Sequence, residues 1–161
     1  HDRICVVEVL GRHCGDVALH VGVASEADFI LVPEVKFDLE KISEEILQRK
    51  KNGREVSIIV LSEGAGDSSE IAAELRGMTH LDIKSNILGY TQRGGEPTVY
   101  DRILAMRTGI RAVELLDEGI GGRVVGIRNN KIIDEDIDKA LARKKKFDID
   151  LYNNYQNMMS F

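Results

Sequence analysis

The stretch Ile4-Cys5-Val6-Val7-Glu8-Val9, running into Leu10-Gly11-Arg12-His13-Cys14-Gly15-Asp16, decides the fold. Its first part is short, β-branched and almost continuously apolar, as a strand covered on both faces must be, so it belongs to a parallel sheet. The glycine-bearing turn then feeds a helix reaching about Ser25, with Asp16 as its predicted cap. The same punctuation repeats along the chain. Phe29 to Val32 reads as a second strand closed by Pro33, and Leu39 to Lys51 as a helix with Leu39, Ile42, Ile46 and Leu47 at helical spacing, ended by Asn52-Gly53. Val56 to Ser62 reads as a third strand that delivers Glu63 and Gly64-Ala65-Gly66-Asp67 at its carboxyl end. A helix over about Ser69 to Arg76 and a strand over about Ile83 to Leu88 follow, then the glycine-rich turn Gly89 to Pro97.

Pro97 suits the first turn of a long helix through about Asp117, carrying Val99, Ile103, Met106, Ile110, Val113 and Leu116. Arg123 to Ile127 and Lys131 to Ile133 read as a hairpin around Asn129-Asn130. A helix from about Glu135 and a polar, Tyr-bearing tail complete the chain, with Arg143-Lys144-Lys145-Lys146 as a solvated surface turn. Alternation of this kind predicts an α/β fold with its ligand edge at the strands' carboxyl ends.

Composition narrows the function. The 161 residues hold 22 Lys plus Arg against 27 Asp plus Glu, a net charge of -5, which predicts one ordinary soluble domain without the basic excess that nucleic acid demands. No run approaches the ~20 apolar residues of a membrane span. Because the chain opens on His1-Asp2-Arg3 without Met, it reads as part of something longer. Cys5 and Cys14, with no second pair, suggest a reduced, cytoplasmic setting. His1, His13, His20 and His80 are scattered and read as incidental residues, not as metal ligands.

Three turns combine charge with backbone access. Gly11-Arg12 offers a guanidinium fork for phosphate or carboxylate beside a glycine, although a plain strand-to-helix turn with a surface Arg explains it equally. Gln92-Arg93-Gly94-Gly95 sets an Arg among backbone N–H groups able to face an anion; otherwise Arg93 is a helix-entry residue paired with Glu96 or Asp101. Glu63 suits sugar hydroxyls, or is a loop carboxylate facing water. Ser62, Ser68, Ser69 and Cys14 lack the context of a nucleophilic triad.

Val6-Val7-Glu8-Val9-Leu10-Gly11-Arg12-His13-Cys14-Gly15-Asp16, Val32-Pro33-Glu34, Leu61-Ser62-Glu63-Gly64, Leu88-Gly89-Tyr90-Thr91-Gln92-Arg93-Gly94-Gly95 and Tyr100-Asp101-Arg102-Ile103-Leu104-Ala105 occur in order. Together they resemble the carboxyl-terminal half of bacterial-type ATP-dependent 6-phosphofructokinases. The resemblance implies a three-layer, open, mainly parallel sheet that is incomplete without an amino-terminal half. It divides the chain into a substrate and effector domain (1–92), a segment packing with a nucleotide domain (93–142) and a tail returning to the substrate domain (143–161).

The activity so implied is transfer of the ATP γ-phosphoryl group to the 1-hydroxyl of fructose 6-phosphate in glycolysis, by a cytoplasmic, Mg2+-dependent homotetramer under allosteric control. Leu10, Gly11 and Arg12 would touch the sugar phosphate, and Arg12 would also neutralise the phosphoryl group in transit. Glu63 would bind sugar hydroxyls, and Arg93 would grip the 6-phosphate. Arg3 and Lys84 would reach the phosphate held by a neighbouring subunit. Tyr90 replaces the histidine of the usual His-x-Gln-Arg pattern, and Lys84 a usual arginine, losing its bidentate fork. A nucleotide or phosphorylated effector would lie near Glu26, Ala27, Asp28 and Arg54, with Asp28 as ligand of an effector-site Mg2+.

The family's GGDGS-type ATP loop and its TIDND-like stretch with the catalytic Asp do not occur in these 161 residues. The chain alone is therefore expected to be inactive, with ATP bound mainly by the other half. A non-catalytic sugar-phosphate sensor and part of a pyrophosphate-dependent relative are the alternatives.

Overall fold

A computed structural model describes residues 3–54 and 56–159, so His1 lies outside the described residues. The chain divides into two compact units, His1–Gly94 with Phe147–Phe161, and Gly95–Lys146.

In the first unit the strands are β1 (Ile4–Val9), β2 (Phe29–Leu31), β3 (Ser57–Ser62) and β4 (Ile83–Ile87), and the helices are α1 (Asp16–Ala24), α2 (Leu39–Lys51) and α3 (Ser68–Thr79). The sheet order is β2-β3-β1-β4 and every pairing is parallel, with Val6 opposite Ile59 and Ser85. Alternation along the strands divides the core. Ile4, Val6, Phe29, Leu31, Ile59 and Leu61 meet Ile42 and Ile46 of α2 and Ile71, Ala72 and Leu75 of α3. Val9, Ile30, Val32 and Val60 face the other way, against Ala18 and Leu19 of α1 and Tyr155.

The three layers thus place helices on both faces, as near-continuous apolar strands require. The Tyr-bearing tail is itself helical (Ile149–Met159). It is the last helix of the chain, and it lays Leu151, Tyr152, Tyr155 and Met159 on the same core as α1.

One local expectation fails. Gly15, not Asp16, is the N-cap of α1 and has no side chain to close the turn. The carboxylate of Glu34 closes it instead, accepting the Gly15 N–H at 2.9 Å and 3.0 Å through its two oxygens. Asp38 and Asp67 cap α2 and α3 through their own side chains, each accepting from the amides two and three residues on.

The second unit contains α4 (Val99–Asp117), the antiparallel strands β5 (Arg123–Arg128) and β6 (Lys131–Asp136), and α5 (Ile137–Ala142). Thr98 and Asp101 form a capping box that starts α4, and Glu96 pairs with Arg102 at 3.7 Å. Asn129 and Asn130 take the left-handed conformation at the tip of the hairpin, as a two-residue turn that matches strand twist demands. Asp134 of β6 lies between Arg111 of α4 at 3.0 Å and Arg123 of β5 at 2.5 Å, joining helix and hairpin. The tail helix, α6 (Ile149–Met159), follows α5 in the chain. Residues 143–146 are exposed, as expected of a basic turn, and the chain passes there from the second unit back to the first. No helix among the described residues is long and apolar enough to cross a membrane.

Candidate functional site

The site follows from the strand order. β1 and β3 are neighbours, yet the chain leaves β1 toward α1 on one face and β3 toward α3 on the other. Neighbouring strands whose connections part in this way open a crevice at their carboxyl ends. Gly11-Arg12 and Glu63-Gly64 are the turns that flank it.

The two turns are fastened together. Ser62 is fully buried and its hydroxyl donates to the Gly11 carbonyl, which also accepts the Gly64 N–H at 3.2 Å. Gly11 N–H donates to Glu63 Oε1 at 3.3 Å, and Glu63 N–H to the Val9 carbonyl at 3.0 Å. Two glycines permit this approach. Gly11 has φ +147° and a Cβ there would overlap the Cys14 carbonyl and Ser62 Oγ, while a Cβ on Gly64 would overlap the Arg12 carbonyl.

The third wall follows β4. A short 3-10 turn, Gly89–Gln92, is docked by the Leu10 N–H donating to Gln92 Oε1 at 3.1 Å, and Gln92 Nε2 donates back to the Gly89 carbonyl at 3.2 Å. The Arg93 guanidinium lies 5.6 Å from the centre of the Tyr90 ring, a cation–π distance. The result is a pocket of about 250 Å³ lined by Leu10, Arg12, Glu63, Gly89, Tyr90 and Arg93.

Sequence reasoning named each of these but Gly89 as a site residue, and the fold brings them together from turns more than seventy positions apart. Two guanidiniums against one carboxylate leave the pocket net positive, suited to an anion that also carries hydroxyl donors for Glu63. Tyr90, largely exposed, presents a phenol able to donate to a ligand.

Arg3 and Lys84 lie elsewhere. Arg3 precedes β1 and Lys84 is the second residue of β4, and the register Ile4 opposite Ile83 puts both at the amino-terminal edge of the sheet, away from this pocket. Both are exposed, and Lys84 pairs with Asp82 at 2.9 Å.

A second pocket, of about 450 Å³, is lined by Ser25, Glu26, Asp28, Gly53, Arg54, Val56 and Ile58. It gathers Glu26, Asp28 and Arg54, with Ala27 buried behind them. Glu26 adopts the left-handed conformation, φ +53°. Asp28 is buried, and its oxygens are engaged: Oδ1 by Arg49 at 2.5 Å and Arg54 at 3.0 Å, Oδ2 by the Ile58 N–H at 2.8 Å. A Mg2+ ion on this carboxylate has to displace a guanidinium first, and no group of three or more His, Cys, Asp or Glu among the described residues could hold a metal. The residues do not fit the effector-site metal expected at Asp28, because that carboxylate is already neutralised from within the fold.

Arg49 is the residue that the sequence concealed. Its side chain is 12% exposed, it also binds Glu45 Oε1 at 2.5 Å and the Met159 carbonyl at 2.8 Å, and it lies 5.1 Å from the centre of the Phe29 ring. Only the basic end of α2, a common helix-dipole pattern, marked it in advance.

Comparison with known proteins identifies the family. The phosphofructokinase family profile matches residues 1–116. An ATP-dependent 6-phosphofructokinase of Clostridium botulinum (strain Alaska E43 / Type E3) is 49% identical over 95% of this chain and 48% of its own. The crystal structure of Pichia pastoris phosphofructokinase in the T-state is similar with a TM-score of 0.80 and 30% identity, covering 99% of this chain and 20% of that one. A pyrophosphate-dependent phosphofructokinase of Marinobacter aquaeolei shares the fold, with a TM-score of 0.75 at 23% identity over 97% of this chain and 47% of its own. The chain spans about half the length of the curated relatives it matches.

Proposed function

Because the chain belongs to the phosphofructokinase family, we propose that it is the carboxyl-terminal, sugar-phosphate-binding half of an ATP-dependent 6-phosphofructokinase. The observation that carries this reading is the convergence of Arg12, Glu63, Tyr90 and Arg93 on one pocket at the β1/β3 crevice. Arg93 binds the 6-phosphate of fructose 6-phosphate, braced by the Tyr90 ring. Glu63, held by the Gly11 amide, accepts from sugar hydroxyls and so fixes the ring's rotation. Arg12, at the mouth of the crevice, sits where the 1-hydroxyl meets the incoming phosphoryl group and offsets the charge that develops there.

ATP and its Mg2+ supply the phosphoryl group and its charge neutralisation, and both are held mainly by the amino-terminal half, as is the base that takes the hydroxyl proton. The chain alone therefore binds substrate without transferring phosphoryl groups. Residues 93–142 pack with the nucleotide domain, in keeping with the apolar side chains that α4 leaves exposed. The enzyme acts in the cytoplasm as a homotetramer. Within it Arg3 and Lys84, on the sheet edge remote from their own pocket, reach the sugar phosphate of a neighbouring subunit. The pocket around Glu26, Asp28 and Arg54 receives a nucleotide or phosphorylated effector, with Arg54 as its cation.

The test is phosphoryl transfer to fructose 6-phosphate by the complete enzyme, with ATP and then pyrophosphate as donor. Fructose 1,6-bisphosphate formed from ATP supports the reading. Transfer from pyrophosphate alone makes the protein the pyrophosphate-dependent relative, and sugar-phosphate binding without transfer from either makes it a sensor.

A further inference from the structure

The tail helix α6 is anchored directly behind the second pocket. Tyr155 is 4% exposed, and its hydroxyl donates to the Ala27 carbonyl at 2.8 Å and lies 3.3 Å from the Gly22 carbonyl. These carbonyls bracket the turn in which Glu26 holds its left-handed conformation, and the Ala27 N–H returns to the Gly22 carbonyl at 2.9 Å. A non-glycine residue in that conformation persists only where its surroundings over-determine it.

The second anchor is at the helix end, where the Met159 carbonyl accepts from Arg49, the arginine that holds Asp28 Oδ1. One helix thus holds the Gly22 and Ala27 carbonyls directly and Asp28 through Arg49. Burial, then the negative charges of Asp28 and Glu26, push the Tyr155 phenol above its ordinary range, which favours the protonated donor.

We propose that Tyr155 of α6 is a positioning residue for the effector pocket: its hydroxyl sets the turn at Ser25 to Asp28 so that Glu26 and the Arg54 guanidinium held by Asp28 present one fixed constellation to a phosphorylated ligand. This rests on the reading of that pocket as the effector site. Tyr155 does not line the pocket, and it acts only through the Ala27 and Gly22 carbonyls. Losing the hydroxyl while keeping the ring leaves the core filled and frees the turn, so the ligand has to order it on binding.

The experiment uses the complete enzyme, with GDP and phosphoenolpyruvate as phosphorylated probes. The concentration of each probe that half-shifts the KM for fructose 6-phosphate is measured for wild type, Tyr155→Phe and Arg54→Ala. Tyr155→Phe is expected to raise that concentration about three- to tenfold, the equivalent of one buried hydrogen bond, with kcat and the probe-free KM unchanged. A Tyr155→Phe enzyme with the wild-type probe response, or one whose kcat and probe-free KM change just as much, overturns the proposal. An Arg54→Ala enzyme that still responds as wild type, or a wild type that responds to neither probe, overturns the pocket reading and the proposal with it.

Discussion

The buried Ser62 hydroxyl donates to the Gly11 carbonyl at 2.6 Å, which makes the end of β3 the anchor for the turn after β1. Arg12 is therefore carried by a backbone fixed from two strands. Preorganised charge of this kind acts chiefly on the transition state. In the complete enzyme, Arg12→Ala is expected to lower kcat by about 10²-fold or more, beyond any change in the KM for fructose 6-phosphate. Steady-state rates at saturating substrates decide it, and an unchanged kcat removes Arg12 from the chemistry.

The task proposed for Arg93 differs, because it approaches the pocket from the turn after β4 with its guanidinium over the Tyr90 ring. Arg93→Ala is expected to raise the KM for fructose 6-phosphate about 30-fold or more, the equivalent of about 2 kcal/mol for a lost charge-assisted hydrogen bond, and to leave the KM for ATP nearly unchanged. Equal losses for both substrates contradict a grip on the 6-phosphate. Arg93→Lys separates charge from fork geometry, and it is expected to recover only part of the affinity.

Buried charge gives a prediction about stability. Arg49 and Asp28 are 12% and 4% exposed and meet at 2.5 Å, so removing one leaves the other's charge inside the protein. Arg49→Ala is expected to destabilise the first unit by about 3–5 kcal/mol, read from the midpoint of chemical unfolding. A loss as small as that of an exposed pair shows that Arg54 alone compensates Asp28.

Acid acts on the second unit. Arg123, then Arg111, hold the Asp134 carboxyl below its ordinary range near 3.8 through side-chain hydrogen bonds. A carboxyl held low adds stability that is complete above its unfolded value and disappears as pH falls through the folded one. Between about pH 5 and pH 3 the thermal midpoint of the wild type is expected to fall more steeply than that of Asp134→Asn. Parallel curves show that the bridge contributes nothing.

The sequence made some of this architecture legible and hid the rest for identifiable reasons. Continuous β-branched runs at Ile4 to Val9 and Val56 to Ser62, each stopped by glycine, mark buried parallel strands, and those strand ends carry the pocket residues. Glu34 as the acid that closes α1 was not readable, because a bond across nineteen positions leaves no periodic trace. The tail looked like polar chain because Asn153, Asn154, Gln156 and Asn157 surround its apolar face, although Leu151, Tyr155 and Met159 do keep a four-residue spacing. Asp28 announced a carboxylate but not its neutralisation, which depends on Arg49 arriving from another helix.

The exposed stripe of α4 links stability to mass action. Val99, Ile103, Met106, Ile110, Val113 and Leu116 are between 46% and 74% exposed, and burying each fully is worth about 1.5–3 kcal/mol. Covered by the amino-terminal half of the same chain, as proposed, the stripe stabilises the helix independently of concentration; covered by a second copy, it makes the apparent stability follow the logarithm of protein concentration. Melting temperatures at two dilutions therefore tell an internal neighbour from an external one.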